Sequence, residues 1–337
     1  MNPKGPASTP AERFGVTEQQ ITEAAVLLRQ GKLVAFPTET VYGLGANALD
    51  ASAVARIFEA KGRPHTSPLI VHVNSIEMAR ELADEWPDTA QQLAERLWPG
   101  PLTVVVQKKA SIPDIVSAGL PTVGLRMPAH PVALALLREA GIPIAAPSAN
   151  RFTQLSPTTA EHVRRGLGSH LAYVLDGGPC TVGIESTVLS VVDVPPMILR
   201  PGGVTRAQIE AVIGPLAPQA QSSEGEHPLP GVTLAPGAHR SPGMHPQHYS
   251  PKTRLVVVAD GAVPPTGKGA YLQLRSRPSR DATVIVMPAD AREYAARLYA
   301  VLHELDEQGY DWIAVDAPEE SPDWEGVLDR LRRASIR

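Results

Sequence analysis

Leu33-Val34-Ala35-Phe36-Pro37-Thr38-Glu39-Thr40-Val41-Tyr42-Gly43-Leu44-Gly45 is the stretch on which the reading of the chain turns. Its first four residues are an apolar run of the kind that makes a short buried strand. Pro37, which cannot donate to a ladder, stops that run. Behind the break stand two hydroxyls, a carboxylate and a phenol. Two glycines follow, whose missing side chains let a backbone come close to a ligand. An ordinary strand-to-helix loop is the plain alternative; three polar side chains and Tyr42 at a strand end favour a ligand site.

Outward from this stretch, Thr17 and Gln20 have the spacing of a capping box. Ile21, Ala24, Ala25 and Leu28 form one apolar face, and Gly31 suits the helix stop. Downstream, the patterning predicts a helix after Asp50 and strands at 69–73, 102–107, 122–126, 144–146, 173–176, 187–193 and 197–200. Further helices are predicted at 75–83, 88–97, 131–140 and 159–167, and a second capping box, Thr205 with Gln208, opens a last one ending near Gly214. Strands that follow one another across short turns, without strict alternation with helices, imply a mixed α/β sheet rather than a wholly parallel one.

Residues 214–253 hold eight prolines and five glycines without periodicity, the composition of a linker. Extended at roughly 3.1 Å per residue it could reach about 120 Å, enough to fold back over a neighbouring surface; a plain tether is the other reading. From Arg254 the pattern turns to clean alternation, with strands at 255–258, 270–274, 283–287 and 312–315 and helices at 289–308 and 324–333. This predicts a smaller Rossmann-like α/β/α domain, though one with no G-x-G-x-x-G after its first strand and hence no support for dinucleotide binding. The chain thus divides into an extension (1–16), a first α/β domain (17–214), the linker (215–253) and a second domain (254–337).

Composition narrows the function. With 337 residues, 43% hydrophobic and 20% charged, two globular domains are the prior. A formal charge of -4, aromatics at 4% and the lack of a basic run argue against tight nucleic-acid binding. The single cysteine, Cys180, excludes an internal disulfide and a cysteine-cluster zinc site. No apolar stretch has membrane length and Met1 to Pro10 lacks a signal core, so the expected location is cytoplasmic.

The chemistry-bearing segments cluster at element ends. Lys61-Gly62-Arg63-Pro64, followed by Ser67-Pro68, sets two cations around a glycine, although the helix dipole alone also favours basic residues there. His72 sits in the apolar run Leu69-Ile70-Val71-His72-Val73, where it is either a satisfied core residue or turned to a site. Gly124-Leu125-Arg126-Met127-Pro128, Ala145-Ala146-Pro147-Ser148-Ala149-Asn150, Gly183-Ile184-Glu185-Ser186-Thr187 and Leu199-Arg200-Pro201-Gly202-Gly203 each end a strand or follow one. Together they imply an anion site gathered at strand ends. The chain has no G-x-x-x-x-G-K-[ST] loop, H-E-x-x-H or G-x-S-x-G, and no nucleophile–base pair. The site is therefore expected to position and neutralise anions rather than to form a covalent intermediate.

The run Phe36–Gly45, Lys61-Gly62-Arg63-Pro64, Trp98-Pro99-Gly100-Pro101-Leu102-Thr103, Ser148-Ala149-Asn150 and Gly183-Ile184-Glu185-Ser186-Thr187 closely resemble the Sua5/YrdC family of threonylcarbamoyl-AMP synthases, which supply the t6A modification of tRNA. Residues 17–214 resemble the catalytic domain, with its YrdC-like twisted mixed sheet and flanking helices, and the remainder resembles the addition found in the longer Sua5 form. The resemblance implies the reaction of L-threonine, bicarbonate (or CO2) and ATP to threonylcarbamoyl-AMP and pyrophosphate, with Mg2+ carried on the nucleotide and no metal bound by the protein. It implies Lys61 and Arg63 as catalytic residues on the phosphates. Threonine would be held by Thr40, His72, Arg126 and Ser186. The ATP side would comprise Lys61, Arg63, Ser67, Thr122, Ala146, Ser148, Asn150, Ser156, Arg200 and Tyr249. Gln247-His248-Tyr249-Ser250-Pro251 resembles a segment that folds over the nucleotide, which turns the linker into a lid; Ser67 stands where asparagine is common. The product would pass to the t6A transferase complex. Carbamoyl transfer as in hydrogenase maturation factors is disfavoured, since the acylphosphatase and zinc-finger modules of those proteins are missing here. A noncatalytic RNA-binding module is disfavoured by charge and aromatic content.

Overall fold

In the computed structural model, residues 10–218, 240–243 and 248–336 are described. Most of the extension, the middle of the linker and Gln247 lie outside them. The first capping box forms: the Thr17 hydroxyl accepts from the Gln20 amide and the Gln20 side chain from the Thr17 amide, opening α1 (Glu18–Arg29). Then come β1 (Val34–Phe36), β2 (Gly43–Asn47), α2 (Ala51–Lys61), β3 (Ile70–His72), α3 (Ile76–Leu82) and α4 (Asp88–Leu97). They are followed by β4 (Leu102–Gln107), α5 (Asp114–Ser117), β5 (Thr122–Arg126), α6 (Pro131–Ala140) and β6 (Ile144–Ala145). The domain closes with α7 (Ala160–Leu167), β7 (Tyr173–Val174), β8 (Thr187–Ser190), β9 (Met197–Arg200) and α8 (Arg206–Ile213).

The strands form one nine-stranded mixed sheet in the order β7-β1-β2-β6-β3-β5-β4-β8-β9. Pairs β1/β7, β3/β5 and β4/β8 are parallel and the remaining neighbours antiparallel. The sequence reading missed β2, because its glycines resemble loop. They serve packing instead: a side chain on Gly45 would stand 2.9 Å from both Phe36 and Ile144. Gly45 is therefore a close-packing position in a strand, not the ligand approach expected for it.

The sheet is apolar on both faces, but differently. One face, with Leu44, Ala46, Val71, Val104, Leu125 and Leu189, packs into a large core with residues of α2, α4, α7 and α8. The other, with Val34, Phe36, Ile144 and Ala146, is covered by α1 and α6 over only one end. The rest of that second face is left for the site.

The second domain holds β10 (Arg254–Val258), β11 (Gly269–Gln273), β12 (Thr283–Val286), α9 (Ala291–Asp306), β13 (Trp312–Asp316) and α10 (Glu325–Ser335). Its all-parallel sheet runs β10-β13-β11-β12. Leu255, Leu272, Ile313 and Val315 pack with apolar residues of both helices, and that cluster extends to Val41, Leu155 and Ile184 of the first domain and Tyr249 of the linker. Tyr271, Trp312 and Ala314, on the alternate positions, pack with loop residues Val263 and Ala282. Among the described residues no helix is long and apolar enough to cross a membrane.

Candidate active site

A cleft of about 520 Å³ lies on the open part of the first sheet. Gly43 of β2, Ile70 and His72 of β3 and Arg126 of β5 line it, as do Ala146 and Ser148 beyond β6. Ile70 and His72 are two residues apart and hence share a face. Strand directions refine the expected gathering at strand ends. β3, β5 and β9 run opposite to β1 and β6, so the two groups leave their carboxyl ends at opposite edges. The strands between are two to six residues long, and a shared face over them, not a shared edge, brings the motifs together.

On one side of the cleft, Arg126 is nearly fully buried. Its Nη2 donates to Glu39 Oε1 at 2.7 Å and Thr40 Oγ1 at 3.0 Å, and its Nε to the Gly100 carbonyl at 3.2 Å. Nη1 has no protein partner among the described residues. Glu39 also accepts from the Ala129 amide at 3.0 Å, so its carboxylate is spent on fixing the arginine and the loop after β5. His72 is in register with Arg126 across β3/β5. Burial, helped by the Arg126 charge, holds its pKa down to about 3, so it is a neutral hydrogen-bonding group. Ser186 Oγ lies 2.8 Å from Thr103 Oγ1 and accepts from Arg200 Nη2 at 3.3 Å. The structure thus brings Thr40, His72, Arg126 and Ser186 to one cleft.

The other side is cationic. α2 ends at Lys61, and the left-handed Gly62 turns the chain so that Lys61 and Arg63 leave in different directions. Arg63 lines the cleft; its Nη2 donates to Ser67 Oγ and the Pro68 carbonyl. Lys61 does not line it: the ammonium is capped by the carbonyls of Ser148 and Asn150, each at 2.5 Å. Burial, reinforced by Arg63, depresses the Lys61 pKa well below the ordinary lysine value. Burial likewise draws Arg63 down to about 10. Arg200 holds the Ser186 carbonyl through Nε and Nη2 at 3.2 and 2.8 Å, and the Pro242 carbonyl through Nη1 at 3.0 Å.

The remaining expected residues sit behind this surface. Ser67 touches the cleft through Arg63. Asn150 shapes its own loop, donating to the Arg151 and Gln154 carbonyls at 2.8 Å. Ser156 donates to Glu185 Oε1. Thr122 lines a separate, smaller hollow together with Arg240, Ser241 and Pro242. Pro242, Gly243, His248 and Tyr249 of the linker border the main cleft, and Tyr249 is only 1% exposed. Sequence reasoning overlooked Thr38, whose hydroxyl donates to the Val41 carbonyl at 2.6 Å and so sets the turn carrying Thr40. It also left Glu39 and Glu185 without roles, since only the fold shows which arginines they meet.

Four of the buried polar atoms without a protein partner among the described residues belong to residues lining this cleft: Arg63 Nε, His72 Nδ1, His248 Nδ1 and Tyr249 OH. Native structures rarely leave such atoms unsatisfied. Their convergence describes a cleft whose polar ligand completes it.

Comparison with known proteins places the chain. A family model described as telomere recombination, covering Sua5, YciO and YrdC, matches residues 26–202, and one described as the threonylcarbamoyl-AMP synthase C-terminal domain matches residues 204–335. Threonylcarbamoyl-AMP synthase of Bacillus subtilis is 41% identical over 96% of this chain and 95% of its own. That of Pyrococcus abyssi is 42% identical over 96% of each. A crystal structure of P. abyssi Sua5 complexed with L-threonine matches with a TM-score of 0.84 at 40% identity, over 95% of both chains. The chain belongs to the threonylcarbamoyl-AMP synthase family, in its two-domain Sua5 form.

Proposed function

We propose that this protein makes threonylcarbamoyl-AMP and pyrophosphate from L-threonine, bicarbonate (or CO2) and ATP, the first step of t6A formation on tRNA, by adenylyl transfer to the carbamate of threonine. The observation that carries the reading is the pair of unlike walls of one buried cleft. One wall, with Arg126, Thr40, Ser186 and neutral His72, suits an amino acid: a carboxylate for the guanidinium, a hydroxyl and an amine for the hydrogen-bonding groups. The other wall, with Arg63 and Arg200, suits phosphates.

Threonine and bicarbonate combine to a carbamate with loss of water. A carbamate oxygen attacks the α-phosphorus, the bond to the β-phosphate oxygen breaks, and pyrophosphate leaves. The carbamate is already a nucleophile, so no protein base is required; alignment and neutralisation of the leaving charge are what the residues supply. Arg63 and Arg200 take that role directly. Lys61 acts from behind, holding the Ser148–Asn150 loop through its carbonyls. Mg2+ enters with the nucleotide, as part of the substrate; among the described residues, the carboxylates near the cleft, Glu39 and Glu185, are engaged by arginines.

The segment around His248 and Tyr249 serves as a lid on the nucleotide. The product, an anhydride labile in water, is handed on to the t6A transferase in the cytoplasm. The reading is tested by pyrophosphate release assayed with each substrate left out in turn. Release is expected only when threonine, bicarbonate and ATP are all present; release without threonine refutes it.

A further inference from the structure

Arg330, on α10 of the second domain, is only 1% exposed and is not among the residues lining the cleft. Its guanidinium nevertheless reaches three of the segments that border the cationic wall. Nε donates to Glu185 Oε2 at 2.7 Å and Nη2 to the Glu185 carbonyl at 3.4 Å, beside Ser186. Nη1 donates to the Pro201 carbonyl at 2.9 Å, beside Arg200. The plane lies over the Tyr249 ring, 5.0 Å from its centroid. Backbone contact is just as close. A side chain on Gly183 would collide with the Ala295 carbonyl of α9, and one on Gly326 of α10 would stand 2.9 Å from Ile184 Cδ1. At Gly183, where α9 backbone fills the place of a side chain, only glycine lets the 183–186 loop lie against that helix.

Among the described residues Glu185 is the one carboxylate lining the cleft, and it faces the same space as Arg63 and Arg200. A bare carboxylate there would repel the phosphates. It is not bare: Oε1 accepts from Ser156, and Oε2 accepts from Arg330 and from the Tyr299 hydroxyl of α9 at 3.3 Å. Burial pushes the Glu185 pKa up, but Arg330 and then Arg200 outweigh it and keep the group ionised. The charge is therefore present in the folded protein and is neutralised chiefly from the second domain.

We propose that Arg330 is a positioning residue for the reaction: it neutralises Glu185 and braces the Ser186, Arg200 and Tyr249 segments, making the second domain part of the nucleotide site. The inference rests on the nucleotide reading of the cationic wall.

Its test compares R330M, R330K, E185Q and the double variant R330M/E185Q with the wild-type full chain by steady-state pyrophosphate release and thermal melting. R332A is the control, since Arg332 pairs with Glu320 on the exposed side of α10 and leaves the site untouched. R330M is expected to raise the KM for ATP at least tenfold, with a smaller change for threonine, because it leaves an uncompensated carboxylate facing the phosphates. R330M/E185Q should recover most of that rise while kcat stays low, since the charge is gone but the brace is not restored. R330K, which keeps a charge without the three-way geometry, should fall between. A folded R330M with wild-type KM for ATP, or a double variant no better than R330M, overturns the proposal. If R330M does not fold, R330K and the double variant decide: wild-type kinetics in both would overturn it, and a raised KM in R330K relieved in the double variant would support it. A wild-type enzyme that releases no pyrophosphate with all substrates would instead refute the nucleotide reading itself.

Discussion

Two buried arginine–glutamate pairs flank the cleft, Arg126–Glu39 and Arg330–Glu185, with nearly equal N–O distances of 2.7 Å. What separates them is the rest of each guanidinium's bonding. Arg126 leaves Nη1 without a partner among the described residues and lines the cleft. Arg330 spends its nitrogens on Glu185, Pro201, Gly326 and Asp329. In the first pair the glutamate serves the arginine, orienting it toward a ligand. In the second the arginine serves the glutamate, silencing its charge. A buried ion pair is thus not by itself a statement about function or even about stability; the unspent donor is.

The largest effect expected from breaking this comparison is R126M. It leaves Glu39 buried without a counter-ion, which costs about 3–5 kcal/mol of stability, and it removes the unspent Nη1 donor that would meet the carboxylate, so threonine affinity should fall at least about 100-fold. R126M/E39Q should regain melting temperature but not threonine binding, as read by calorimetric titration. That is the opposite of the Arg330 pair, where the double variant regains nucleotide kinetics. A double variant that bound threonine would erase the distinction between the pairs.

R63A comes next. Burial already holds the Arg63 pKa near 10, below its usual value, so the fold carries this charge at a cost and loses little by giving it up. Turnover should drop by about 100-fold while the melting temperature moves by no more than a few degrees. Near-normal kcat in R63A would remove it from the phosphate wall.

The smallest effect concerns the seam between domains. His162 of α7 stacks on His303 of α9, ring centroids 3.9 Å apart, with Arg165 nearby paired to Glu307. Burial, then the His303 and Arg165 charges, bring the His162 pKa to about 3. The unfolded chain binds a proton there below about pH 6.5, which the folded protein refuses until about pH 3. Stability therefore falls as pH drops through that window. His72, with the same depressed value, adds to the slope. Melting curves from pH 7 to pH 5 should fall less steeply for H162Q, by about 2–5 °C at the acid end. An unchanged slope would show that His162 is free to ionise in place.

Much of this protein was legible in its sequence. The two capping boxes, the helices at 88–97 and 131–140, the strands at 102–107 and 122–126 and the strands and helices of the second domain follow from local rules: hydroxyls that satisfy helix amides, and apolar periods that match one kind of element. The clean alternation expected of that domain does not hold, since β10, β11 and β12 precede its first helix. The cationic and hydroxylic motifs at element ends were visible for the same reason, since each is a local departure from an apolar pattern. The strand Gly43–Asn47 was not legible, because its glycines are required by the Phe36 and Ile144 side chains they pack against, a demand made across the sheet. Nor could sequence tell that Lys61 turns to carbonyls while Arg63 turns to the cleft, two residues away. The roles of Glu39, Glu185 and Arg330 were beyond it altogether. Residues 185 and 330 meet only after both domains have folded against each other, and an ion pair at such separation leaves no periodic trace in the chain. Local order is written in local sequence; which donor remains unspent is decided by long-range packing alone.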